Sequence, residues 1–184
     1  EGKIPPEIIE ELRQMGAFGI KIAPEYGGMG LSQYSYTKAI SLVTSNDGSM
    51  TALLSAAQSI GVPVPLKLFG TDAQKKKYLP KLATGEFVGA WGLTENSAGS
   101  DAGGTRTTAV KDGDSWVLNG SKTFITNGSF AEVAVIMAVT DKTKGNKGIS
   151  AFVVEKGTKG FRPGKKEDKL GVRASDTSEL ILED

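Results

Sequence analysis

Residues 93–108, "LTENSAGSDAGGTRTT", concentrate side chains able to do chemistry: two carboxylates, three glycines and six hydroxyls. The stretch is too polar and too small to be a core element. It is either a solvated loop or a cradle that grips a ligand through backbone groups and hydroxyls. A phosphate loop would need GxxxxGK[ST], or GxGxxG between a strand and a helix. Neither occurs in the chain, and Glu95 and Asp101 would repel a phosphate. A carboxylate pair for glycoside hydrolysis would need Glu95 and Asp101 at a fixed separation, which a loop does not set. The plainer role for an acidic loop residue is to accept hydrogen bonds from the loop's own backbone N–H groups.

The third chemistry is a cofactor cradle. A planar heterocycle such as a flavin needs directional donors and acceptors at its polar edge, which backbone groups and hydroxyls supply without net charge. Ala98, Gly99 and Gly103 would let the backbone approach closely. A second stretch, "KTFITNG" at 122–128, offers an aromatic, a hydroxyl and a turn as a second wall. By composition alone Phe124 and Ile125 read as ordinary strand residues.

The whole composition narrows the choices. The chain has 184 residues, no Cys and no His, so thiolate catalysis, disulfides and Cys-zinc sites are excluded and the usual general base is absent. Chemistry must come from carboxylates, Lys, Tyr, hydroxyls or a bound cofactor, and no metal site is expected. Net charge is +1. The longest basic run, Lys75-Lys76-Lys77, reads as a solvated helix face, so no nucleic-acid partner is expected. Neither a membrane span nor a signal peptide is expected.

The elements that must position these residues change character near residue 85. "PPEIIEELRQMG" starts with prolines and ends at Gly16, with Ile8, Ile9, Leu12 and Met15 on one helical face. Ser32 caps a second predicted helix running to about Ser45, and "DGSMTALLSAAQSIG" predicts a third. Thr71 and Gln74 match a capping box for "DAQKKKYLPKLA", with Gly85 as its stop. Beyond it lie short β-branched and aromatic runs, with Asp112-Gly113 and Asn119-Gly120 as hairpin turn signals. The expected fold is α+β: an N-terminal helical domain over 1–85 and an antiparallel β-barrel-like domain over 86–184. The start at Glu1 without Met and the stop at "LILED" suggest a piece of something longer.

"AWGLTENSAGSDAGGTRTTA", "LNGSKTFITNG" and "GKKEDKLGVRASDT" resemble, in order and spacing, the signatures of the acyl-CoA dehydrogenase family. Upstream, "MGAFGIKIAPEYGGMGLS" and "FGTDAQKKKYLPKLATGE" resemble its N-terminal domain, so the likeness covers essentially the whole chain. It implies FAD as cofactor, with Trp91, Leu93, Thr94 and Ser100 along the flavin. The Leu93 backbone and Thr94 hydroxyl would meet the ring's polar edge, and Ser100 the acyl-CoA. Phe124, Ile125 and Thr126 match the second flavin segment. Asn96 stands where the family usually has Pro, and Phe124 where many members have Trp.

The resemblance further implies α,β-dehydrogenation of an acyl-CoA to the trans-2-enoyl-CoA. A Glu removes the α-proton, flavin takes the β-hydride, and electrons pass to an electron-transferring flavoprotein. That Glu belongs to a C-terminal helical bundle not represented here, so no catalytic residue is assigned and the fragment alone is expected to be inactive. The wording is most similar to short-chain, butyryl-CoA-type members. A homotetramer is implied, cytoplasmic in a bacterium or archaeon and in the mitochondrial matrix in a eukaryote. The alternatives are a non-catalytic acyl-CoA-binding relative, or a flavin-dependent oxidase or monooxygenase of the same fold.

Overall fold

The computed structural model describes residues 2–184, the side chains of residues 59 and 60 excepted. Among the described residues five α-helices precede seven strands: α1 (Pro6–Gln14), α2 (Gln33–Thr44), α3 (Gly48–Ser55), α4 (Pro63–Phe69) and α5 (Asp72–Thr84), then β1 (Gly89–Gly92), β2 (Thr108–Asp112), β3 (Ser115–Thr126), β4 (Val133–Val139), β5 (Ile149–Glu155), β6 (Phe161–Lys166) and β7 (Thr177–Leu182). The fold is α+β, as expected.

Local chemistry explains the helix ends. The Ser32 hydroxyl accepts from the Ser35 N–H at the start of α2, and Asp47 accepts from the N–H groups of Ser49 and Met50 at the start of α3. Thr71 and Gln74 form the complete reciprocal capping box of α5. The α3 run widens into a π-turn at Ala56–Ile60 before α4 begins. Sequence reading overlooked α4 because Pro63 and Pro65 look like breakers. Pro63 sits in the first turn, where its missing N–H costs nothing. Met15, expected on the apolar face of α1, is 63% exposed. The run Gly48–Phe69 is long and apolar enough to cross a membrane by length and composition, yet half of its most apolar window is buried in the fold. Leu53, Leu54, Val62 and Leu66 are its core side chains.

The sheet is curled and mixed rather than purely antiparallel. β4 pairs in parallel with β1 and, at Thr108↔Val139, with β2; its other edge pairs antiparallel with β5. Asp112-Gly113 does turn a hairpin between β2 and β3. Asn119-Gly120 does not, because β3 runs straight through it and pairs with β2 on one side and β7 on the other. Gly120 is needed for close approach instead: a Cβ there would lie 2.6 Å from the Thr107 hydroxyl and 2.8 Å from the Thr107 Cα.

The two halves share their cores. Alternation along β4 sends Val133 and Val135 toward Ile22, Val62, Leu66, Leu79 and Leu82 of the helical half, and Ala134 and Ile136 toward Ile125, Leu180 and Leu182 inside the curled sheet. A third cluster joins Leu12, Phe18, Leu53 and Leu54 to Val88 and Phe130. At the rim, the Glu155 carboxylate on β5 accepts from Tyr78 (2.6 Å) and from Lys77 on α5.

Gly85 closes this joint. It ends α5 at φ +75, and a Cβ would fall 2.6 Å from the Phe18 ring and 2.9 Å from the Arg13 side chain. The left-handed backbone costs a non-glycine residue roughly 1–2 kcal/mol, and the clash adds to it. Gly85→Ala is therefore expected to lower the unfolding free energy by about 2 kcal/mol or more, measured by urea titration.

Candidate functional site

The loop after β1 and the far end of β3 lie against each other. The Thr123 N–H donates to the Thr94 carbonyl at 2.8 Å. Beside that bond sits an ion pair that sequence reading did not foresee. Lys122 is fully buried and Glu95 is 7% exposed, and the ammonium lies 2.7 Å from the carboxylate. The same ammonium donates to the Leu93 carbonyl at 3.2 Å. Glu95 also accepts from the N–H groups of Arg106 (2.7 Å) and Thr107 (3.0 Å) and from the Thr107 hydroxyl (2.6 Å). Glu95 therefore does satisfy its own loop's backbone. No such side-chain bond is made by Asp101 among the described residues.

These partners set the charge states. Burial pushes the Glu95 carboxyl up, but the hydrogen bonds from Lys122, Thr107 and Arg106 outweigh it and hold it below the usual carboxylate range. Burial pushes the Lys122 ammonium down, against the pull of Glu95. Glu95 is an ionised structural group whose two oxygens are both occupied, which suits it poorly to proton abstraction.

The loop tip at Asn96 is closed by its own backbone. Glu95 and Ala98 exchange both backbone hydrogen bonds at 3.0 Å, closing a tight turn over Asn96 and Ser97. Ala98 is buried; Gly99 and Ser100 are exposed.

Each expected contact residue has a definite place. Trp91, half-buried on β1, packs against the cluster shared with the helices. Leu93 and Thr94 are half-buried. The Leu93 carbonyl is taken by Lys122. Thr94 differs: neither its N–H nor its hydroxyl has a protein partner among the described residues. Phe124 is 63% exposed and has a left-handed backbone at φ 58, inside the irregularity that interrupts β3–β7 pairing between Lys122 and Ile125. An aromatic held outward at that conformational cost is unusual on a solvated face. The Ile125 side chain is 2% exposed in the sheet core, so a ligand can meet only its backbone. Thr126 points to the opposite face from Ile125, half-buried.

The turn after β3 is anchored by residues that sequence reading did not single out. Asn127 is 1% exposed with φ 66; its side chain donates to the Gly89 carbonyl at 3.3 Å, and its N–H to the Asp176 carbonyl at 3.1 Å. The Asp176 carboxylate accepts from the Ser129 N–H (2.9 Å) and hydroxyl (2.7 Å). The Asn-Gly dipeptide at 127–128 was the available signal, since Asn tolerates the left-handed region. Asp176 lies in the block "GKKEDKLGVRASDT", but nothing in its spacing named Ser129 as its partner.

A helical half sharing its core with a curled mixed sheet, and two pinned loops presenting hydroxyls and an aromatic, define a class that comparison identifies. Residues 1–86 match the family model described as acyl-CoA dehydrogenase, N-terminal domain, and residues 90–184 the one described as acyl-CoA dehydrogenase, middle domain. The chain belongs to the acyl-CoA dehydrogenase family. It is 50% identical over 182 residues to the short-chain specific acyl-CoA dehydrogenase of Clostridium acetobutylicum, covering 99% of this chain and 48% of the relative. It matches butyryl-CoA dehydrogenase from Megasphaera elsdenii with TM-score 0.93 and 45% identity, over 100% of this chain and 49% of that one. A chain in the structure of the electron transferring flavoprotein of Acidaminococcus fermentans gives TM-score 0.94 and 49% identity, over 98% and 47%. The chain thus spans about half the length of the curated relatives it matches.

The Lys122–Glu95 pair generates two expectations. Lys122→Met leaves a buried carboxylate without its counter-charge and should cost about 3–5 kcal/mol of unfolding free energy, measured by urea denaturation. The Glu95 carboxyl sits lower in the folded than in the unfolded chain. Its stabilisation is therefore full above the ordinary glutamate value of about 4.3 and drains away as pH falls below it. A pH series of urea midpoints checks this, and Lys122→Met should flatten that part of the profile.

Proposed function

We propose that this chain forms the flavin-contacting part of an FAD-dependent acyl-CoA dehydrogenase acting on short-chain acyl-CoA thioesters, with trans-2-enoyl-CoA as product. The observation that carries the reading is Thr94, whose N–H and hydroxyl have no protein partner among the described residues, on a loop joined to β3 by a buried ion pair. Two adjacent donors without net charge complement the acceptor edge of a flavin. Exposed Phe124 supplies an aromatic wall next to them, so the residues present fit the group. Bound FAD would supply the hydride acceptor for the substrate β-hydrogen.

The residues divide the remaining work. Thr94 and Thr126 donate hydrogen bonds that hold the ring in register, Leu93 and Ile125 meet it through their backbones, and Trp91 packs beneath. Ser100, exposed and without a protein partner among the described residues, meets the acyl-CoA. Glu95 is spent on Lys122, Arg106 and Thr107, so it is not assigned as α-proton acceptor; the family resemblance implies a Glu outside residues 1–184 for that role. The resemblance to short-chain and butyryl-CoA dehydrogenases supports the substrate class. The likeness to a chain in an electron transferring flavoprotein structure supports that protein as electron acceptor. The whole enzyme is proposed to be a homotetramer, cytoplasmic in a bacterial or archaeal source and in the mitochondrial matrix in a eukaryotic one.

Anaerobic addition of butyryl-CoA to the FAD-loaded intact protein should bleach its flavin absorbance; a spectrum indifferent to acyl-CoA would defeat the assignment. Thr94→Val removes one hydrogen bond worth roughly 0.5–1.5 kcal/mol, so FAD should bind roughly 2–12-fold more weakly in an equilibrium titration. Ser100→Ala should raise the KM for acyl-CoA and leave flavin content unchanged. Flavin loss with unchanged KM would reassign Ser100 to the cofactor.

A further inference from the structure

Two facts about Lys122 go together. Its ammonium is fully buried, with bonds to Glu95 at 2.7 Å and to the Leu93 carbonyl at 3.2 Å. The Leu93 carbonyl belongs to the same peptide unit as the Thr94 N–H, which has no protein acceptor among the described residues. A cation donating to an amide oxygen polarises the whole amide and makes its N–H a stronger donor. Glue between β3 and the loop does not require this arrangement, since the Thr123–Thr94 backbone bond already joins them.

We propose that Lys122 is a positioning residue for the flavin: through the Leu93–Thr94 peptide it fixes the place and the donor strength of the Thr94 N–H, and Glu95 is its compensating charge. This rests on the flavin reading above. Electron density enters the ring on reduction, so an excess of positive charge behind Thr94 favours the reduced form and an excess of negative charge disfavours it. In a low-dielectric interior such charge is felt strongly.

The pair allows a test by sign. Glu95→Gln keeps the side-chain shape and leaves the ammonium uncompensated; Lys122→Met leaves the carboxylate uncompensated. In the intact FAD-loaded protein, the flavin midpoint potential, measured at pH 6 by equilibration with a reference dye, should rise in Glu95→Gln and fall in Lys122→Met. A purely structural pair would loosen the flavin in both variants and leave the potential unchanged or lowered in both. If Lys122→Met does not fold, the Glu95→Gln shift decides alone. An unchanged or lowered potential in that variant overturns the role of Lys122. Failure of the unsubstituted protein to bind FAD would overturn the flavin reading itself, and the two failures are told apart by the spectrum before any substitution is made.

Discussion

A buried charge without a partner is among the most costly things a fold can contain, and the pairing of Lys122 with Glu95 organises this one. The two residues lie on different elements, yet neither can move from the other without stranding a charge. The loop after β1 is thereby pinned to β3, and its remaining polar needs are met by Arg106, Thr107 and the Glu95–Ala98 turn. With the inner side of the loop fully satisfied, Thr94 is left with donors for something else. Support behind and unmet donors in front are what the proposed flavin contact would use.

Phe124 extends the same logic. Lys122 points into the interior, and so does Ile125 two positions past Thr123. Regular strand alternation cannot place both inward. The chain resolves the conflict with a register shift and a left-handed residue, and that residue is the exposed aromatic. Asn127 and Asp176 hold the chain immediately beyond. The strain at Phe124 follows from the anchoring on both sides of it.

The placement of the loops depends in turn on the cores. β1 and β4 alternate between a cluster shared with the helices and one enclosed by the sheet. The helical half is thus part of what aligns β1, and through β1 the loop that starts at Leu93. Substitutions in α4 or α5 that disturb Val62, Leu66 or Leu79 act on the site from a distance for this reason.

Much of the helical half was legible in the sequence because its signals are local. A capping box needs Thr71 and Gln74 three residues apart, and a helix stop needs Gly85 at positive φ. The polar loop and the second wall were legible as candidates because hydroxyls, glycines and Asn-Gly cluster within a few positions. Pairings between distant residues were not. Gly120 looks like a turn until Thr107 is known to press on it. Lys122 looks like a surface strand residue until Glu95, far away in sequence, arrives beside it. Which of Phe124 and Ile125 faces outward is decided only once the register of β3 on β7 is set. Residue types and short spacings by themselves determined the start of α2, both ends of α5, the change from helix to strand, and which loops were candidates for chemistry. Which charges are paired, which hydroxyls are left free and which face of β3 is buried were decided by tertiary structure alone, because each depends on a contact that only the folded chain brings within hydrogen-bond reach.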